Sequence, residues 1–130
     1  MDILFNNAAI LYGTWQNAVN ADLDVVNQAL ITNLFGPWRL SQVFIPMMMR
    51  NKYEHIVNVL SLGDSLHHMS GATPAYGVSK VALNALTRVL AAELRGTGIL
   101  VNAIDPGCVA TDMGGGHGGR PVEEGAHGIV

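Results

Sequence analysis

The apolar residues of this chain fall into short blocks, separated by polar turns and by longer stretches with helical spacing. "ILF", residues 3–5, is the first block, closed by Asn6 and Asn7. It predicts a short buried strand over residues 2–6. Residues 10–20 are polar and irregular. Asp22 stands where a helix N-cap is wanted, with Val25, Val26 and Ala29 following as one apolar face. The helical spacing continues through Leu30, Leu34, Trp38, Ile45 and Met49. Gly36 and Pro37 are expected to kink or interrupt it near Asn33. "HIVNVLS", residues 55–61, is a near-continuous apolar strand of the kind buried on both faces of a parallel sheet. Residues 75–96 predict a long helix, with Val78, Ala82, Ala85, Leu86, Val89 and Leu90 on one side and Gly96 and Gly98 as its stop. "ILVNAI", residues 99–104, is a third strand, broken by Asp105, Pro106 and Gly107. A glycine-rich loop comes next at 114–119. Pro121, Glu123 and Glu124 then open a last helix that runs barely two turns before Val130.

Three buried strands alternating with helices imply βαβ units and a three-layer α/β architecture around a parallel sheet. There is no internal repeat and no linker, so residues 1–130 read as one domain. Hydrophobic residues make up 49% of the chain and charged residues 13%. An average soluble domain carries about 25% charged residues. The chain is therefore expected either to bury most of its elements on both faces or to carry a large partner surface. The net charge of −3 and the scatter of seven basic residues argue against a nucleic-acid partner. No apolar run reaches the roughly 18 residues of a membrane span. A single cysteine, Cys108, fits a reducing compartment, and the expected location is cytoplasmic. His67, His68 and His117 sit in loops without a placed third ligand, and no metal site is expected. Met47, Met48 and Met49 read as packing residues, and Cys108 as a small buried side chain.

Candidate chemistry centres on "YGVSK". Tyr76 and Lys80 are four residues apart, one turn along the same helix face. A tyrosine with a pKa of about 10 is a poor acid or base at neutral pH. An adjacent ammonium favours the phenolate and brings that value down. Taken alone, the pair also reads as a solvated i,i+4 contact. Ser61 ends the second strand, at the sheet edge where open α/β folds bind ligands, although a serine there can be a plain turn residue. Asn33 lies mid-helix among apolar residues. It is either self-satisfied or, with a carbonyl freed by Pro37, able to hold a water.

Taken together and in this order, "NNAA" (6–9), "TNLFG" (32–36), "VNVLS" (57–61), "YGVSK" (76–80) and "VNAIDPGCVATDM" (101–113) resemble the short-chain dehydrogenase/reductase family. The resemblance covers essentially the whole chain and is closest to carbonyl-reductase-like members. It implies a doubly wound, Rossmann-like sheet and hydride transfer between NAD or NADP and a carbonyl or alcohol. Tyr76 would be the acid/base. Lys80 would assist it and hold the nicotinamide ribose. Ser61 would orient the substrate carbonyl, and Asn33 would hold a relay water. Asn7, Ala8 and Ala9 would line the adenosine side of the cofactor. Pro106 and Gly107 would belong to the cofactor site, with Val109 and Thr111 against the nicotinamide and its carboxamide. The resemblance leans towards NADP and implies a homo-oligomer built through residues 22–50 and 75–96.

There are departures from the family pattern. Ala9 stands where the family carries glycine, Leu60 replaces the first of two serines, and the loop from Ser61 to Tyr76 is slightly long. The glycine-rich phosphate turn and the residue that selects NAD or NADP are not among these residues. The chain is thus expected to be the catalytic half of an incomplete Rossmann-like domain. Two readings remain: an NAD(P)-dependent oxidoreductase, or an inactive truncated relative acting through protein association. On the second, Ile3, Leu4 and Phe5 form a bare strand edge prone to pairing.

Overall fold

The computed structural model describes residues 2–61, 69, 71–114 and 119–127. His67, His68 and His117 lie outside the described residues, as does most of the loop between Ser61 and Tyr76. Three strands, β1 (Ile3–Asn6), β2 (Glu54–Val59) and β3 (Ile99–Ile104), form one sheet in that order. Both pairings are parallel, with Leu4 beside Ile56 and Ile56 beside Val101. This is the parallel α/β sheet of a Rossmann-like unit.

Leu4, Ile56 and Val101 share a face because they are direct ladder partners. They form one core cluster with Leu34, Met48, Leu83, Leu86 and Leu90 from the helices. The helices that supply this core therefore pack on that face. The opposite face carries the ladder rows Ile3–His55–Leu100 and Phe5–Val57–Asn102. There Ile3 is 51% exposed and Leu100 46%. A doubly wound sheet carries its other helical layer on that side.

The first helical stretch is not a single α-helix. Asp22 caps α1 (Leu23–Leu30) by accepting from the Asp24 amide at 2.9 Å. A π-helical turn at Ile31–Phe35 then leads into α2 (Gly36–Met48). The chain widens instead of breaking, and the Gly36 amide reaches back to the Ile31 carbonyl. One extra residue in the turn rotates the faces of α2 by about 100°. This corrects the expected face. Pro37, Ser41 and Met48 are buried, whereas Trp38 and Met49 are exposed.

The long helix α3 (Pro74–Glu93) also departs from its expected face. Its buried line is Ala75, Ser79, Leu83, Leu86 and Leu90, with Lys80 and Thr87 beside it, while Val78 and Val89 are exposed. Buried hydroxyls explain the change, because they find partners. Thr87 accepts from Asn58 Nδ2 at 2.8 Å and donates to the Leu83 carbonyl at 2.8 Å. Asn58 in turn accepts from Asn6 Nδ2 at 2.8 Å. This polar chain runs from β1 through β2 to α3 inside the core. Gly98 stops the approach to β3 at φ +87°, and a Cβ there would strike the Lys52 carbonyl. Beyond β3, a short 3-10 turn at Asp112–Gly114 and helix α4 (Val122–His127) follow among the described residues.

Candidate active site

All three strands point the same way, so their C-terminal ends share one edge of the sheet. Asn7, Ala8 and Ala9 follow β1 there, Ser61 follows β2 by two residues, and Pro106 and Gly107 follow β3 by two and three. An open parallel sheet binds ligands along that edge. The sequence-nominated residues of three separate stretches are thus brought to one place by topology. Asn7 and Ala8 are exposed, and Ser61, Ala9, Pro106 and Gly107 are half-buried.

Helix α3 delivers Tyr76 and Lys80 to the same edge. Lys80 is only 2% exposed, and its Nζ donates to the Val59 carbonyl at 2.7 Å, at the last residue of β2. The same ammonium lies 5.6 Å from the centroid of the Tyr76 ring. A buried ammonium needs such an acceptor, since desolvation penalises the charge. The bond locks the lysine beside the tyrosine and two residues from Ser61. Thr73, just before α3, adopts φ 50° and ψ 56°, and its carbonyl accepts from the Gly77 amide at 3.0 Å. A β-branched residue in that region is strained by about 1–3 kcal/mol, and strain of this kind gathers at functional sites.

Asn33 is buried at 1% exposure, at the centre of the π-helical turn. Its Oδ1 accepts from the Ile10 amide at 2.8 Å, and its Nδ2 donates to the Ile10 carbonyl at 3.0 Å and to Ser79 Oγ at 2.9 Å. Ser79 Oγ donates to the Tyr76 carbonyl at 2.7 Å. The side chain of Asn33 therefore ties the segment after β1 to the first turn of α3. Pro37 has no N–H to offer the Asn33 carbonyl. Sequence reasoning passed over Ser79, which holds the tyrosine's own turn. Its signal was available: a serine three residues past Tyr76 can donate back to that carbonyl.

Beyond β3 the chain folds back on itself. Val109 and Arg120 form a parallel bridge, with the Arg120 amide donating to the Cys108 carbonyl at 2.9 Å and the Ala110 amide to the Arg120 carbonyl at 3.0 Å. Val109 is half-buried and Thr111 exposed. Cys108 is exposed, not buried as its size suggested. The bridge occupies its carbonyl, and Gly119 approaches so closely that a Cβ there would lie 2.6 Å from that oxygen.

Fold and edge together define an open parallel α/β unit of the kind that binds ligands at its strand ends. The chain belongs to the short-chain dehydrogenase family, whose model matches residues 1–118. It is 29% identical to a protein named C-signal from Myxococcus xanthus, over 100% of this chain and 78% of that protein. Among solved structures, it superposes on NADPH-bound carbonyl reductase from chicken fatty liver with a TM-score of 0.89. The two are 31% identical, and the match covers 99% of this chain and 56% of the reductase. It also matches NAD+-bound xylitol dehydrogenase, with a TM-score of 0.77 and 32% identity over 85% of this chain and 42% of that one. The chain thus spans about half the length of these solved relatives.

Proposed function

We propose that these residues form the catalytic half of an NAD(P)-dependent oxidoreductase acting on a small carbonyl or alcohol. The observation that carries this reading is the buried Lys80 ammonium, fixed by Val59 and set 5.6 Å from the Tyr76 ring. A cation so placed favours the phenolate and equips Tyr76 to give a proton to, or take one from, a substrate oxygen. Ser61, at the same strand end, would hydrogen-bond that oxygen and orient it. The side-chain amide of Asn33 is committed to Ile10 and Ser79, so its backbone carbonyl is the group that would hold a relay water.

The residues present fit the nicotinamide–ribose half of the cofactor. Lys80 offers a fixed ammonium to ribose hydroxyls, Thr111 a hydroxyl to a carboxamide, and Val109 an apolar surface to the ring. Asn7, Ala8 and Ala9 would line the adenosine side, and Pro106 and Gly107 would complete the edge. When bound, the cofactor supplies or accepts the hydride. NADPH in the carbonyl reductase supports NADP, and NAD+ in the xylitol dehydrogenase supports the alternative.

The test is NADPH oxidation with a panel of aldehydes and ketones at millimolar cofactor. The expected result is turnover that falls on the order of 100-fold in Tyr76→Phe. No turnover, or turnover indifferent to Tyr76, contradicts the reading.

A second reading, association without catalysis, draws on the exposed sheet face at Ile3, Phe5 and Leu100. The family resemblance also assigns subunit contacts to the helical stretches 22–50 and 75–96. An absence of turnover together with concentration-dependent self-association would favour it.

A further inference from the structure

The segment expected to touch the nicotinamide is held from behind by helix α4, and Gly125 is where the two meet. Gly125 is buried, although it sits in a short helix whose neighbouring side chains are mostly exposed. A Cβ built on it would lie 2.6 Å from Cγ2 and 3.2 Å from Cγ1 of Val109. The first distance is about 1 Å inside a van der Waals contact. Two further contacts hold the same base. The Arg120 guanidinium rests over Gly107, within 3.5 Å of where a Cβ would stand, and Gly107 itself has φ +75°. The paired bonds between Cys108, Ala110 and Arg120 close the bridge.

We propose that Gly125 is a positioning residue for the cofactor segment: helix α4, seated through it on Val109, sets the height of Val109–Thr111 at the ligand edge. This rests on the reading that Val109 and Thr111 face the nicotinamide. Gly125 need not touch any ligand. The absence of a side chain lets α4 reach Val109, and the bridge from Cys108 to Arg120 carries that placement into the strand-end loop. Displacing α4 by the width of a methyl group shifts Val109 and strains both bridge bonds.

The size relation gives a test that separates positioning from general destabilisation. Four forms of the chain are compared by NMR: wild type, Gly125→Ala, Val109→Ala and the double variant. One readout is amide exchange at Ala110 and Arg120, whose N–H groups make the bridge. The other is the movement of the Ala110 and Thr111 resonances on titration with NADPH. Gly125→Ala is expected to lose on the order of tenfold protection at both amides, as for local opening of a single unit. It should also weaken the NADPH response. In the double variant, trimming the valine to a single methyl makes room for the new one on α4, and protection at both amides should recover. The NADPH response is compared between wild type and Gly125→Ala alone, since Val109 itself belongs to the cofactor segment.

The proposal is overturned if Gly125→Ala leaves bridge protection or the NADPH response unchanged, or if Val109→Ala does not restore the bridge protection that Gly125→Ala loses. A different result exposes the underlying reading. If wild type shows no NADPH response at Ala110 and Thr111 while the exchange pattern tracks the size exchange, the segment is clamped but does not face the nicotinamide. The cofactor role of Gly125 then falls with that placement.

Discussion

Replacing Asn33 by alanine removes a buried side chain that joins the segment after β1 to the tyrosine's helix. Three hydrogen bonds go with it: from the Ile10 amide at 2.8 Å, to the Ile10 carbonyl at 3.0 Å and to Ser79 Oγ at 2.9 Å. Each is worth about 1 kcal/mol net, and leaving the half-buried Ile10 amide and carbonyl unpaired adds up to about 2 kcal/mol. The expected loss is about 3–5 kcal/mol, a large share of the roughly 5–15 kcal/mol that stabilises a domain. Urea unfolding followed by circular dichroism should show the midpoint falling while the slope is kept. Asn33→Asp, though close in shape, should be no milder. A carboxylate can accept from the Ile10 amide but has no donor for the Ile10 carbonyl. Ser79 already spends its proton on the Tyr76 carbonyl. A loss below about 1 kcal/mol for alanine, or near-complete rescue by aspartate, would refute this account of Asn33 as a structural tie.

Other elements give further expectations. Gly98→Ala forces a Cβ into the left-handed region against the Lys52 carbonyl, so stability should fall by more than about 2 kcal/mol and the melting temperature by about 10 °C. Calorimetric titration of the chain with NADPH should give only millimolar affinity, because the glycine-rich phosphate turn is not among its residues, and a micromolar value would contradict that. With Ile3, Phe5 and Leu100 exposed, sedimentation should show concentration-dependent association that Phe5→Lys reduces, whereas a monodisperse, cooperatively melting monomer would count against it.

Much of the fold was legible from the pattern of residues, and the misses have physical reasons. β3 matched its apolar run from Ile99 to Ile104, and Asp22 capped its helix, because both signals are local. Gly36 and Pro37 correctly marked trouble near Asn33. They could not show that the helix would widen rather than break, and the single extra residue exchanged Trp38 for Pro37 and Met49 for Met48 in the core. In α3 the apolar count favoured Val78 and Val89. Tertiary contacts instead buried Ser79, Lys80 and Thr87, each with a partner outside its own turn or back along it. Strand-end placement of Ser61, Pro106 and Gly107 came from the parallel order. The seat of Gly125 on Val109 was invisible, because close approach between two elements leaves no periodic mark.

Whether Lys80 acts on Tyr76 is the central question, and one measurement reads it directly without cofactor or substrate. In the chain labelled at tyrosine Cζ, the NMR titration of Tyr76 should run below the ordinary tyrosine value, since a buried ammonium 5.6 Å from the ring favours the phenolate. Lys80→Met should move that titration upward. A Tyr76 that titrates at or above the ordinary value, unchanged by the loss of Lys80, would contradict the central claim.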